Sequence, residues 1–290
     1  MVSAVVAERR QLVNVAYRLL GSLTEAEDAV QEAYARWYAM SPPEQEAIAS
    51  PGAWLTRVAG RICLDLLGSA RVRREAYVGE WLPEPLPDRA QGDGDPADRI
   101  TLDESVNLAF LVVLESMTPA ERVAFVLHDV FGYPFAEVAG ILGRTPAACR
   151  QLASSGRLRV RDARAAAVPA TRRTAGIVRD FRQAWEAKDI GALVGLLDPG
   201  AVMTADGGGR VRAALRPVEG AERIVRFLAG MAPATAGLTL EERTVNGVPG
   251  LVARHEGVTV SVTAFGFTDD GRIDRIWAIR NPDKLRAWNP

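Results

Sequence analysis

Residues 132–161 read GYPFAEVAGILGRTPAACRQLASSGRLRVR. Proline pushes the residue before it out of the helical region and glycine stabilises no helix, so Gly132, Tyr133 and Pro134 end whatever helix precedes them. Phe135, Val138, Ala139 and Leu142 then recur at the spacing of one helix face. Gly143 closes that helix, and Thr145 with Pro146 opens the next as cap and first-turn residue. Two helices joined by so short a turn predict a helix-turn-helix. On the second helix Arg150, Ser154, Arg157 and Arg161 share a face with Gln151 beside them, while Cys149, Leu152, Gly156 and Val160 form the opposite stripe. Such a helix docks on its own domain by the second set and offers the first, with Thr145, to a major groove, where Arg suits guanine edges or phosphates and Gln suits adenine.

Charge agrees with this reading once it is taken locally. The formal net charge is only −1, but from Arg144 to Arg164 six arginines face one acid, Asp162, whereas 84–104 is dominated by Asp and Glu. Upstream, Thr118 and Glu121 form a capping box, and 102–117 reads as one helix. Before that, 81–98 contains Pro83, Pro85, Pro87, Pro96, Gly92 and Gly94 and is expected to be an extended linker.

From residue 7 to about 79 the pattern is helical throughout. Thr24 with Glu27 predicts the cap of a helix whose apolar face is Ala26, Ala29, Val30, Ala33 and Trp37, with Asp28, Gln31 and Glu32 turned outward. Ser50 and Pro51 open a further helix running past Trp54 toward Ser69. Trp54, Arg57 and Arg61 lie along one side of it, followed by Arg71, Arg73 and Arg74. An aromatic ring beside cations suits unstacked bases, each stacked base being worth about 1–3 kcal/mol, although Trp54 reads equally well as core.

Past an Ala-rich stretch at 163–170 the pattern becomes a helix around Ile177 to Lys188 and then glycine-punctuated strands, so a separate α+β domain begins there. Val258, Val260, Val262 and Ala264 alternate with polar or small residues, and Asp270-Gly271 predicts a hairpin turn. Asp206, Arg210 and His255 are the only acid-base candidates, at no spacing that announces catalysis, so no catalytic residue is expected. Cys63 and Cys149 sit in helical patterns, which fits a reducing compartment, and with His128 and His255 as the only histidines neither a metal nor another cofactor is expected. No run of eighteen apolar residues and no leader pattern occur, so a cytoplasmic protein without a membrane partner is expected.

Several stretches together carry a family resemblance. Ala26-Glu-Asp-Ala-Val-Gln-Glu-Ala-Tyr-Ala-Arg-Trp37 resembles region two of extracytoplasmic-function sigma factors, where that helix binds the clamp of core RNA polymerase. This assigns Asp28, Gln31, Glu32 and Arg36 to polymerase. Pro51-Gly-Ala-Trp-Leu-Thr-Arg57 and Cys63-Leu-Asp-Leu-Leu67 resemble the part that holds the melted minus-ten strand, which implies Trp54, Arg57, Arg61, Arg71, Arg73 and Arg74. Gly68 stands where the family pattern leads one to expect arginine. Residues 132–154 resemble region four, which reads the minus-thirty-five duplex, implying Thr145, Arg150, Gln151, Ser154, Arg157 and Arg161.

One subgroup fits best, a sigma factor with a fused C-terminal domain similar to the SnoaL or nuclear-transport-factor-two-like fold, a cone-shaped α+β barrel. Three motifs carry that resemblance: Trp81, Leu82, Pro83, Glu84, Pro85 and Leu86 in the linker; Asp206, Gly207, Gly208 and Gly209; and Asn281, Pro282, Asp283, Lys284 and Leu285. The implied organisation is region two at 1–79, linker at 80–100, region four at 101–166 and the added domain at 167–290. Trp81 and Leu82 would be costly to leave in water, so the added domain is expected to pack on the linker and regulate the whole. A small-molecule ligand of its pocket and an anti-sigma partner stay open, as do two rivals: a helix-turn-helix regulator that binds operators without polymerase, and a ligand-transforming enzyme with a DNA-binding appendage.

Overall fold

The computed structural model describes residues 2–75, 77–87, 107–164, 172–231 and 237–289; the side chains at 2–7, 70–75, 163, 164 and 172 lie outside the described residues. The chain forms two compact units. One comprises Met1–Glu75, Arg89–Thr101 and Phe110–Asp162, the other Ala76–Asp88, Leu102–Ala109 and Ala163–Pro290. Both helical halves expected from the sequence thus share one unit, and the described part of the linker belongs with the C-terminal domain.

In the first unit α1 (Val2–Leu20), α2 (Leu23–Tyr38) and α4 (Pro51–Glu75) pack on one another, with the short α3 (Pro42–Glu46) between the last two in sequence. Leu12 to Leu20 of α1 is buried all round. Even Arg18 is 1% exposed there, its Nη1 donating to the Asn14 carbonyl at 2.9 Å and the Asn14 side chain at 3.1 Å. Gly21, at φ 70°, ends α1, so α2 starts at once. Its cap is therefore Ser22, whose hydroxyl accepts from the Glu25 amide at 3.3 Å. Thr24 and Glu27, expected to form that cap, lie inside the helix. The predicted apolar stripe of α2 is buried. α4 continues to Glu75, beyond Ser69, running through Gly68 without a break because no proline follows it before Glu75.

The second half of this unit starts at Phe110, within α5 (Leu108–Glu115); of the helix expected over 102–117, residues 102–106 lie outside the described residues. α6 (Pro119–Phe125) opens on the predicted Thr118–Glu121 capping box and runs into one π-helical turn, Val126–Val130. After the break at Gly132 come α7 (Phe135–Leu142), closed by Gly143 in the left-handed region, and α8 (Pro146–Arg164). Both helices of the predicted helix-turn-helix are present with the expected punctuation. α4 packs against α6 and α7. It approaches α7 closely at Gly60, where a Cβ would lie 3.1 Å from the Ile141 side chain.

The second unit carries α9 (Arg172–Glu186), α10 (Ile190–Leu196) and α11 (Ala221–Met231) with six strands: β1 (Leu197–Asp206), β2 (Val218–Glu219), β3 (Leu238–Val245), β4 (Val248–His255), β5 (Val258–Phe267) and β6 (Ile273–Ile279). They form one sheet in the order β2-β1-β6-β5-β4-β3, antiparallel except for the β1–β6 pair. The predicted turn at Asp270-Gly271 joins β5 to β6, with Gly271 at φ 88°. On one face Met203, Ala205, Phe265, Ile276 and Ala278 build a core with Phe181 of α9 and Ile224 of α11. Alternation puts Val252, Val262 and Ile279 on the other face, where they are also buried. Residues 80–87 and the 3-10 turns Pro282–Lys284 and Arg286–Trp288 hydrogen-bond to the second unit on this side, with Leu82 at 2% and Leu86 at 5% exposure. Burying a leucine is worth about 1.5–3 kcal/mol, so the linker belongs to this domain's packing.

Candidate nucleic-acid interface and linker anchor

α8 offers the predicted face. Cys149, Ala153, Gly156 and Val160 point into the first unit, and Gly156 sits so close to Phe125 that a Cβ would come within 2.8 Å of the Phe125 Cβ. Arg150, Gln151, Ser154, Arg157 and Arg161 are exposed, and the Thr145 hydroxyl caps the helix by accepting from the Ala148 amide at 3.2 Å. The Arg150 guanidinium lies 5.7 Å from the centre of the Phe135 ring, and Arg157 pairs with Asp129 at 2.8 Å. Arg161 reaches Asp162 at 3.6 Å, both about three-quarters exposed, a contact that water largely screens. This face is cationic, solvated and preorganised at one point by an aromatic ring.

On α4 the sequence left two readings of Trp54, as core and as a base-stacking ring. The ring sits edge-on to buried Trp37, centroids 5.3 Å apart, and is only partly exposed. Arg57 and Arg61 are exposed, and the Arg61 guanidinium donates to the Gly140 carbonyl of α7 at 3.0 Å. Beside them the Tyr133 hydroxyl lies 3.2 Å from the Thr56 hydroxyl and accepts from Gln11 at 3.0 Å. Arg71, Arg73 and Arg74 occupy the end of α4, and their side chains lie outside the described residues. Deeper in this seam Arg122, 2% exposed, donates to the Leu19 carbonyl at 2.9 Å and to Glu115 at 2.7 Å, while its Nε finds no partner; burial lowers its hold on the proton. On α2 Asp28 and Gln31 are exposed, and Glu32 pairs with Arg36 at 2.9 Å in water.

In the second unit the three motifs meet at one buried carboxylate. Asp206, wholly buried, accepts from the Tyr77 hydroxyl at 2.6 Å, the Leu82 amide at 2.9 Å, the Gly208 amide at 3.0 Å and the Lys284 ammonium at 2.6 Å. Lys284 also donates to the Leu82 carbonyl and sits 4.0 Å from the centre of the Trp81 ring. Asn281 caps the turn by accepting from the Asp283 amide and donates to Tyr77 at 2.9 Å. Burial first, then the Asp206 bond, raises the Tyr77 phenol well above its usual range, so it stays a donor. Gly207, Gly208 and Gly209 make the turn after β1. Only glycine fits at 208, which has φ 61° and would drive a Cβ to 2.4 Å from the Asn281 amide. Farther along the linker, Trp288 donates to the Pro85 carbonyl at 2.8 Å, Asn246 exchanges two bonds of 2.9 Å with Leu86, and Pro83 and Glu84 are buried. Pro282 is exposed and Leu285 buried. Arg210 pairs with Asp283, and His255 ends β4 beside Leu238 and Val258, so the acid-base trio of the sequence is not assembled.

Comparison with known proteins bears on the same elements. Models of Sigma-70 region 2 and Sigma-70 region 4 match residues 4–73 and 107–160. The ECF RNA polymerase sigma factor SigJ of Mycobacterium tuberculosis is 40% identical over 298 residues, covering 98% of this chain and 93% of that one. The chain belongs to the ECF RNA polymerase sigma factors. A second relative, the probable ECF sigma factor SigI of Mycobacterium tuberculosis, is 36% identical over 97% of this chain and 94% of its own. The crystal structure of Mycobacterium tuberculosis SigJ superposes with a TM-score of 0.76 at 37% identity, covering 99% of each chain. This sigma factor therefore binds core RNA polymerase and promoter DNA and directs transcription initiation, work in which it is a transcription factor and not an enzyme. Among the described residues no helix is long and apolar enough to cross a membrane.

Sequence reasoning about this sigma factor missed Tyr77, Tyr133, Asn246 and Trp288. Asn246-Gly247 is legible as a turn, and Trp288 as an aromatic close behind a motif. Nothing in the local pattern marks Tyr133 as the hydroxyl shared between α1 and α4.

Proposed function

We propose that this sigma factor reads its promoters with two faces, and that the C-terminal domain governs their placement by holding the linker. The exposed side of α2, with Asp28, Gln31, Glu32 and Arg36, meets core polymerase. Arg57 and Arg61 of α4, with Arg71, Arg73 and Arg74, hold the melted minus-ten strand, and the outer face of α8 reads the minus-thirty-five duplex. Those elements are named for positions about 25 base pairs apart, roughly 85 Å of duplex at 3.4 Å per step. Helices in contact, as α4 and α7 are through Arg61 and Gly140, do not span that distance. The first unit must open for both faces to engage.

Residues 76–107 are the only covalent connection between α4 and α5. With 80–87 held, residues 88–107 reach at most about 70 Å even if fully extended at 3.3–3.6 Å per residue, less than that separation. A held linker and its domain become part of the span, and a released one does not. The observation that carries this reading is the convergence of Tyr77, Leu82 and Lys284 on buried Asp206.

The test is run-off transcription from a promoter library, using core RNA polymerase reconstituted with the full chain or with a chain ending at residue 167. Transcripts from both, in different amounts or from different promoters, are the expected result. Equal output from the two, and from a Trp81→Ala chain, would remove the regulatory half of the reading. Silence from both would move the weight to an operator-binding regulator.

A further inference from the structure

The helices and the concave face of the sheet enclose a cavity of about 100 Å³. Its wall is apolar, with Phe181, Trp185, Phe227 and Met231 among the lining side chains, and three polar residues reach it: Ser261, Thr263 and Arg280. Arg280 is the informative one. It is half-buried, and burial lowers its hold on the proton. Among the described residues its guanidinium donates to the Arg212 carbonyl and pairs with no carboxylate. A cation at the wall of an apolar cavity, with no carboxylate partner among the described residues, is complementary to an anion that carries an apolar body. A cavity of about 150 Å³ is known to take a benzene ring, so the occupant here is small.

The same residue stands next to the linker anchor. Arg280 and Asn281 both donate their backbone amides to the Asp206 carbonyl, at 2.7 and 2.9 Å. Alternation then sends the Arg280 side chain into the cavity and the Asp206 and Asn281 side chains to the opposite face, where they hold Tyr77, Leu82 and Lys284. Anything that fixes Arg280 also fixes the strand ends from which the anchor is built.

We propose that this cavity binds a small monocarboxylic acid with a short branched alkyl body, its carboxylate on Arg280, and that occupancy tightens the domain's hold on residues 80–87. The second half rests on the reading that this hold is regulatory. Binding is measured on the purified full chain by calorimetry with isobutyrate and isovalerate as probes and isovaleramide as the uncharged control. At least one acid is expected to bind saturably, with affinity about tenfold or more weaker for the amide and for Arg280→Gln, and intermediate for Arg280→Lys, as the loss of a charged hydrogen bond implies. Hydrogen exchange of the Leu82 amide then reads the coupling. At a concentration ten times Kd it should slow by about tenfold, if the released form does not bind, and not in Arg280→Gln. No saturable binding of any acid, or equal binding by the amide or by Arg280→Gln, overturns the site. Binding that leaves Leu82 exchange unchanged overturns the coupling. Because no polymerase is present, either failure leaves the transcription reading standing.

Discussion

Two seams in this molecule join segments distant in sequence, and each has a buried cation at its heart. In the seam between α1, α4, α6 and α7 that cation is Arg122, which pairs with Glu115 of its own half and crosses to the Leu19 carbonyl with its Nε unsatisfied, near the exposed Arg61 to Gly140 bond and the part-buried Thr56 to Tyr133 pair. In the linker anchor it is Lys284, which finds the Asp206 carboxylate, the Leu82 carbonyl and the Trp81 ring together. Single hydrogen bonds across that seam contribute about 0.5–1.5 kcal/mol each because water can replace them, and opening it leaves the Arg122–Glu115 pair intact and lets water reach the Arg122 Nε. Removing one half of a buried ion pair instead costs about 3–5 kcal/mol. The contrast teaches which contact is built to exchange and which to hold.

The strongest way to break that contrast is Asp206→Ala. It strands the Lys284 ammonium, and the C-terminal unit should lose about 3–5 kcal/mol of stability, read by denaturant unfolding followed at the Trp residues of that unit. A loss below 1 kcal/mol would make the anchor no firmer than the other seam. Leu82→Ala, which leaves every charge in place, should cost about 2–4 kcal/mol by emptying a fully packed site, and should appear as faster proteolysis within 80–87. Arg150→Ala acts elsewhere. A loss of about 1–3 kcal/mol in promoter binding, confined to one position of the minus-thirty-five element, is expected if it reads a base, whereas a uniform loss marks a phosphate contact. Tyr133→Phe removes only the hydroxyl shared by Thr56 and Gln11 and should favour opening by about 1 kcal/mol. A pair of fluorescent labels on α2 and α8 would report the longer distance, and an unchanged distance distribution would count against an exchangeable seam. Least of all should change at the thiols. Cys63 is buried, its thiol pushed up to about 12 mainly by burial, so alkylation should stay slow even in Tyr133→Phe if the seam opens between intact helical halves.

The helix-turn-helix was legible because its information is local: a break at Gly132 to Pro134, a left-handed Gly143, a cap at Thr145, and a period that separates Cys149 from Arg150. The linker motifs were legible as a place where apolar side chains needed cover, but not as a bond list. Tyr77 meets Asp206 across 129 residues and Asn281 across 204, and no periodicity reports on pairs so separated. The cap of α2 was misplaced for a different reason. Thr24 and Ser22 both offer a hydroxyl three residues before a glutamate, and only the tightness of the Gly21 turn decides between them. Trp54 was ambiguous because stacking on a base and stacking on Trp37 require the same side chain.

The order in which the anchor's parts are synthesised has its own consequence. Leu82 leaves the ribosome 202 residues before Lys284, its partner. At about 5–20 residues per second that interval is roughly 10–40 s, within which residues 107–160 are completed while the linker still lacks Lys284. Until Lys284 is made, residues 80–87 lack the partner that closes the anchor. A chain that stops short of the Asn281 to Leu285 turn should leave 80–87 without those bonds, visible as protease sensitivity there in ribosome-arrested chains.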